Sequence, residues 1–223
     1  MSGTLTIVGA PIGNLASVDS LFAKALKQAD LILCEDTRVT GKLLNLKGIT
    51  PVKMMSYREE NEERMAKKAL EFLAQGLHIV LLSDAGMPLV SDPGYRLVHM
   101  ATESGYDTSV VHGPSAFMEA LLRSGFGTDR FVFLGFLPKK GKKLTEAVEL
   151  MSGYDMTFVF YESPYRIRKT MKLLQDRLPE SRYAICRELT KMHEEFLRGQ
   201  LSQLNILDIK EKGEFTVVLR RER

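Results

Sequence analysis

The chain has only two cysteines in 223 residues, Cys34 and Cys186, each closing a short apolar run. That supply excludes a disulfide framework and fits buried thiols in a reducing compartment. The four histidines, His78, His99, His112 and His193, share no ligand spacing with the cysteines or each other, so no metal site is expected. No apolar stretch approaches the roughly 20 residues that span a bilayer. The opening MSGTLTIVG lacks a charged segment followed by a long apolar one, so no signal peptide is expected and the default location is the cytoplasm. A net charge of +3 is too small to establish nucleic-acid binding, and any basic surface must be argued locally. Repeats and low-complexity tracts are also missing. The first glycine turn is not G-x-G-x-x-G, because Pro11 stands at the second glycine position, and no Gly-Lys-Ser/Thr of a phosphate-cradling loop follows. ATP-driven chemistry is therefore not indicated.

What is present is an alternation of short apolar runs with amphipathic segments, in an ordinary globular composition of 44% hydrophobic and 26% charged residues. The pattern predicts strands at Leu5–Val8, Leu31–Cys34, Val52–Met55, Ile79–Leu82 and Ser109–Val111, with helices at Val18–Ala29, up to Gly48, about Glu60–Ala74, through Glu103 and near Ala116–Arg123. Ile79–Leu82 is the most apolar run, as expected for the middle of a sheet covered on both faces. Asp92 and Pro93 read as the N-cap and first-turn proline of the fourth helix. Further strands are expected at Phe131–Leu134, Thr157–Tyr161, Arg182–Cys186 and Phe215–Leu219, and helices at Lys142–Met151 and Pro164–Leu178, the last with Ser163 as N-cap. The implied class is α/β in two halves, the first mostly parallel. The glycine-bearing, aperiodic Ser124–Arg130 lies close to the seam, and the domains are set at residues 1–113 and 114–223.

Three turns stand out: VGAPIGNL (Val8–Leu15), SDAGMPLVSDPG (Ser83–Gly94) and HGPSA (His112–Ala116). Each follows a strand and is built from small residues, which suggests a crevice where backbone amides approach a ligand. Ordinary strand-to-helix turns use the same residues. Asp84 has no helix directly after it, so a ligand role and a structural one both stay open. Glu35-Asp36-Thr37-Arg38 closes the second strand as the lip of a site or as a helix N-terminus with Asp36 or Thr37 as cap. Lys139, Lys140, Lys142 and Lys143 follow Phe136-Leu137-Pro138, and Arg166, Arg168, Lys169 and Lys172 line the next helix. They form either a phosphate-binding surface or a solvated face.

Together with EDTR (Glu35–Arg38), GFLPKK (Gly135–Lys140), YESPYR (Tyr161–Arg166) and RELTK (Arg187–Lys191), the three turns resemble one family over nearly the whole chain. It is the ribosomal small-subunit RNA 2′-O-methyltransferases that modify a decoding-centre cytidine, within the tetrapyrrole-methylase class. The resemblance implies a two-domain α/β fold with S-adenosylmethionine in a cleft between the domains, and a homodimer. By motif, the cofactor would touch Pro11, Ile12, Asp84, Ala85, Gly86, Pro88, Pro114, Ser115, Ala116 and Tyr161. The catalytic and substrate groups would be Asp36, Arg38, Glu188 and Lys191, with Asn14, Lys139, Lys140 and Arg166 on RNA. Ala10 and Met87 stand where the family usually has threonine, and His112 where it usually has proline. The helical extension carried by many relatives is not matched here, which would rest RNA affinity on the dimer and the lysine loop.

Methyl transfer from a sulfonium needs in-line positioning more than charge stabilisation, but a ribose hydroxyl is a poor nucleophile and gains from a base or a cation. Glu188 or Asp36 would accept or orient the proton, and Lys191 or Arg38 would hold phosphate and developing oxyanion. Two alternatives remain: a porphyrin or corrin methyltransferase, and a non-catalytic RNA-binding protein of ribosome assembly.

Overall fold

In the computed structural model, which describes residues 3–50 and 52–221, the chain forms two compact units, Met1–Pro114 and Ser115–Arg223. The seam thus falls at Pro114, and Ser124–Arg130 lies inside the second unit.

The first unit holds a five-stranded parallel sheet of order β3-β2-β4-β1-β5. Its strands are β1 (Thr4–Val8), β2 (Leu31–Cys34), β3 (Lys53–Ser56), β4 (His78–Leu82) and β5 (Asp107–Val111). Helices α1 (Ser20–Gln28), α2 (Thr37–Leu46), α3 (Glu62–Ala74) and α4 (Tyr95–Glu103) connect them. The side-chain alternation of a strand decides the layering. In β4, Val80 and Leu82 join the core made with Phe22, Ala25 and Leu26 of α1 and Leu44 of α2. Ile79 and Leu81 join the opposite core, with Met65, Ala66 and Leu73 of α3 and Leu97 and Ala101 of α4. β4 is therefore the central strand and buried on both sides, as its run of aliphatics implies. α1 begins where the Asp19 carboxylate accepts the Leu21 and Phe22 amides at 2.8 and 3.4 Å.

Adjacent strands β1 and β4 send their following helices, α1 and α4, to opposite faces of the sheet. Such a switch in winding leaves a crevice outside the carboxyl ends of the two strands. The turns Val8–Leu15 and Ser83–Gly94 lie there.

The second unit begins with α5 (Ala116–Ser124), which packs on β7, β8 and β10 of a mixed sheet of order β6-β7-β10-β8-β9. The strands are β6 (Phe131–Phe136), β7 (Thr157–Glu162), β8 (Ser181–Arg187), β9 (Glu195–Gln200) and β10 (Phe215–Arg221). β6 and β7 run parallel, and the other pairs are antiparallel. Helices α6 (Lys142–Gly153) and α7 (Ile167–Arg177) bury Val148, Met151, Ile167, Met171 and Leu174 against Phe158, Phe160 and Val217.

Two expected helix starts are corrected. The N-cap of α4 is Gly94, at φ +140°, and not Asp92, whose carboxyl instead joins an acidic recess. α7 starts at Ile167 with Arg166 at its cap, one turn after Ser163 and Pro164. There the Ser163 carbonyl accepts the Arg166 and Ile167 amides at 3.1 and 3.0 Å. Strand β9 has no counterpart in the expected pattern.

Candidate functional site

In the first unit, three turns converge at backbone level. The Ala10 amide donates to the Gly86 carbonyl at 2.7 Å, and the Gly86 amide returns to the Ala10 carbonyl at 3.1 Å. Ser83 Oγ donates to the same Gly86 carbonyl at 3.0 Å. On the other side, the Gly9 amide donates to Val111 at 3.0 Å. A Cβ built on Gly113 would lie 2.6 Å from the Gly9 carbonyl carbon, so the two backbones touch and only glycine fits. Pro11, Ile12, Asp84, Ala85, Gly86 and Pro114 are drawn into this small region, with Ile12 and Pro88 buried. Leu89 and Ser91, at φ +71° and +69°, hold the left-handed region that side chains avoid, a strain that recurs at ligand loops.

The three departures from the family pattern can be located. Ala10 is fully buried in the core. Met87 places its thioether to accept the Gly113 amide at 3.3 Å, and His112 faces solvent.

Beside the turns is an acidic recess of about 380 Å³, lined among others by Glu35, Asp36, Arg58, Asp84 and Asp92. Two loops lock it reciprocally: the Asp36 amide donates to Asp84 Oδ1 at 3.2 Å, and the Asp84 amide to Glu35 Oε1 at 3.3 Å. Burial raises the Glu35 and Asp84 carboxyls above their ordinary values. Asp92 is pushed up to about 7, first by burial and then by the charges of Glu35 and Asp84. Asp36 behaves oppositely. It caps α2 and binds Arg38 by two bonds, at 3.0 and 2.6 Å, which hold its carboxyl far below the usual range. Among the described residues, no group of three or more His, Cys, Asp or Glu side chains could hold a metal. Asn14 sits at the exposed rim, capping a short 3-10 turn through the Ala16 amide at 2.9 Å.

In the second unit, Glu188 and Lys191 meet. Lys191 Nζ donates to Glu188 Oε1 at 3.1 Å and to Glu214 Oε2 at 2.9 Å, while the Glu214 amide donates to Glu188 Oε1 at 2.9 Å. Partial burial alone would raise the Glu188 carboxyl, but the Glu214 amide and the Lys191 ammonium bring it below its usual value. Burial opposes the charge on Lys191, yet Glu214 and Glu188 raise its affinity for the proton. Glu188 and Thr190 have φ +53° and +64°, and Gly213, at φ +93°, lies so close under Glu188 that a Cβ would reach within 2.7 Å of its Cγ. A left-handed pair fixed by a dedicated glycine is a preorganised polar cluster.

Tyr161 is set edge-on to Phe133, with centroids 5.0 Å apart, and near Phe136 at 5.6 Å. Ser115 Oγ is buried without a hydrogen-bond partner among the described residues, and Ala116 opens α5 next to it. Arg166 has a structural task that its motif does not reveal. Its guanidinium grips both oxygens of the fully buried Glu162 at 2.7 and 2.8 Å and the Leu137 carbonyl at 2.8 Å. Lys139 and Lys140 stand exposed on the turn before α6.

Motif analysis overlooked Arg58, Glu62 and Arg177. Arg58, on a different loop, donates to the Glu35 carbonyl at 2.8 Å and reaches Asp36 at 3.9 Å. Glu62 anchors the Ser83–Gly94 loop by accepting the Gly94 amide at 2.9 Å. Lys169 and Arg177 border a cavity with Lys139 and Lys140. Tertiary placement alone identifies the first two. Lys169 was visible as part of a basic helix face.

Comparison with known proteins adds a consistent pattern. Residues 4–205 match the family described as Tetrapyrrole (Corrin/Porphyrin) Methylases. The chain is 43% identical over 97% of its length, and 75% of the relative's, to the Ribosomal RNA small subunit methyltransferase I of Halalkalibacterium halodurans. It is 41% identical to the protein of the same name from Thermotoga maritima, over 97% of this chain and 98% of that one. Among solved structures, it is similar to the methyltransferase CobJ, with TM-score 0.71 and 19% identity over 99% of this chain and 95% of that one. The uroporphyrin III C-methyl transferase of Thermus thermophilus gives 0.69 and 18%, over 98% and 97%. At those identities the two structures speak to the fold alone.

Proposed function

The chain belongs to the tetrapyrrole (corrin/porphyrin) methylases, and from that premise we propose that it transfers a methyl group from S-adenosylmethionine to small-subunit ribosomal RNA, at the ribose 2′-hydroxyl of a decoding-region cytidine. The observation that carries this is the similarity along nearly the whole chain to relatives named for that RNA. The solved structures of similar fold, among them a uroporphyrin III C-methyl transferase, share far less sequence.

The residues fit an adenosyl ligand. The paired backbones of Ala10 and Gly86 and the contact of Gly9 with Gly113 bring main chain close together with the Met87 thioether packed against it, and Ile12 and Pro88 supply apolar area. The unpartnered Ser115 hydroxyl offers a donor and an acceptor. In this assignment Pro11, Ile12, Asp84, Ala85, Gly86, Pro88 and Pro114 of the first unit bind the cofactor, while the assignment of Ser115, Ala116 and Tyr161 rests on their motifs alone. When bound, S-adenosylmethionine supplies an electrophilic methyl group on a sulfonium.

Glu188 is too strongly held by Lys191 and the Glu214 amide to be a strong base. Its carboxylate orients the 2′-hydroxyl and, weak base though it is, takes up the proton, which turns strongly acidic as the oxygen bonds to the methyl carbon; Lys191, kept protonated by two carboxylates, steadies the oxygen meanwhile. Asp36 and Arg38 neutralise each other and act as a substrate-side clamp. Asn14, Lys139, Lys140 and Arg166 complete the RNA contacts, Arg166 through its place beneath the lysines. The working unit is a homodimer in the cytoplasm.

The test is to incubate small ribosomal subunits with labelled S-adenosylmethionine and map the label on the RNA by mass. A single methylated cytidine, resistant to alkaline cleavage on its 3′ side, is expected. Label on a tetrapyrrole and none on RNA would overturn the assignment.

A further inference from the structure

The turn Pro138–Gly141 and helices α6 and α7 enclose a cavity of about 410 Å³, within the range of about 300–1,000 Å³ usual for small-ligand sites. Its floor is apolar, from Leu144, Val148 and Leu173. Its rim carries Lys139, Lys140, Lys169 and Arg177, all exposed, and none makes an ion pair among the described residues. Glu149 is the one carboxylate in the lining. Arg166, by contrast, is neutralised inside by Glu162, which also accepts Thr170 Oγ1 at 2.7 Å. Against the four rim cations the lining thus sets one carboxylate, Glu149, and the rim stays net positive. α6 adds to the field: its N-cap is Gly141, with no side-chain cap and no acid in the first turn, so its positive end is left open.

An apolar floor under a net cationic rim is complementary to a polyanion that also presents flat, weakly polar surface. Unpaired RNA has both, phosphates for the rim and an unstacked base for the floor, whereas a duplex keeps its bases stacked away. We infer that the α6–α7 groove holds an unpaired nucleotide of the ribosomal RNA, as an anchor separate from the methylated residue. This rests on the RNA assignment above.

The test measures binding of small-subunit ribosomal RNA by the full chain and by two variants. Lys169→Ala/Arg177→Ala removes two rim charges, and Thr145→Glu sets a carboxylate at an exposed lining position. The double variant should raise the RNA Kd roughly tenfold at low salt and flatten the plot of log affinity against log salt by about 1.4, the value for two single-strand phosphate contacts. Thr145→Glu should weaken binding in the same direction, and both should retain S-adenosylmethionine binding by calorimetry. Unchanged RNA affinity and salt slope in both variants, with the unaltered chain binding and methylating the RNA, overturns the groove alone. Weakened binding to intact subunits but not to naked RNA assigns the groove to an acidic protein of the subunit and also overturns it. If the unaltered chain neither binds nor methylates ribosomal RNA, the functional assignment fails and this anchor fails with it.

Discussion

Replacing Asp92 by asparagine should stabilise the protein at alkaline pH and leave it unchanged in acid. The Asp92 carboxyl lies in the recess with Glu35 and Asp84, and burial together with those charges lifts it from 3.8 to about 7. In the unfolded chain it ionises near its ordinary value. The proton held by the folded state therefore contributes stability that is complete below about pH 4. That contribution declines by up to about 1.4 kcal/mol per unit as pH rises, and is gone above about pH 7. A displacement of about three units sets a ceiling of about 4 kcal/mol, and partial solvent access reduces it to about 2. Asparagine has no proton to lose and keeps similar shape. Urea unfolding followed by circular dichroism, from pH 4.5 to 8.5, should give a midpoint difference in favour of Asp92→Asn that grows with pH and levels off above 7. In a Glu35→Gln background the plateau should come at lower pH, because one repelling carboxylate is gone. A difference independent of pH, or an asparagine variant less stable at pH 8, would refute the electrostatic argument.

Three other outcomes are expected. Gly113→Ala forces a Cβ to within 2.6 Å of the Gly9 backbone and should cost about 1–3 kcal/mol by thermal unfolding, with loss of S-adenosylmethionine binding in calorimetry. Glu162→Ala strands the Arg166 guanidinium in a largely buried setting and should cost about 3–5 kcal/mol, read as a lower urea midpoint. Lys191→Ala and Glu188→Gln should each slow single-turnover methylation of small subunits by about 10²-fold or more, without weakening RNA binding to match; rates equal to the unaltered chain's in both variants would remove the pair from the mechanism.

The inner strands of the first unit, β1, β2 and β4, are visible in the sequence because parallel strands covered on both faces need near-continuous apolar runs, and Ile79–Leu82 is such a run at the sheet centre. β9 escaped because Glu-Phe-Leu-Arg-Gly-Gln is an edge strand, with side chains half in solvent and no clean alternation. The start of α4 was misplaced because Asp-Pro is a common helix opening, whereas here the Glu62 carboxylate takes the Gly94 amide and begins the helix two residues later. For the site, short motifs located the turns, since small residues are what close backbone contact requires. The motifs did not reveal that Asp36 and Arg38 bind each other, or that Arg166 neutralises Glu162, because each depends on rotamers and burial that appear only once the strands are assembled. The left-handed Glu188 and Thr190 were equally hidden, as neither residue type announces a positive φ.

The position of β10 has a consequence for biosynthesis. It lies in the middle of the second sheet, hydrogen-bonded to β7 on one side and β8 on the other, although along the described residues it follows all its sheet partners. All five strands of the first unit are available once Val111 has been synthesised, so that unit can close while translation continues. The second sheet waits with β6–β7 and β8–β9 as separate ribbons, each offering a raw edge, until Phe215–Arg221 arrives to zip them together. During that interval the edges of β7 and β8 that β10 later covers are open to pairing with another chain, and insertion of this single strand removes that hazard.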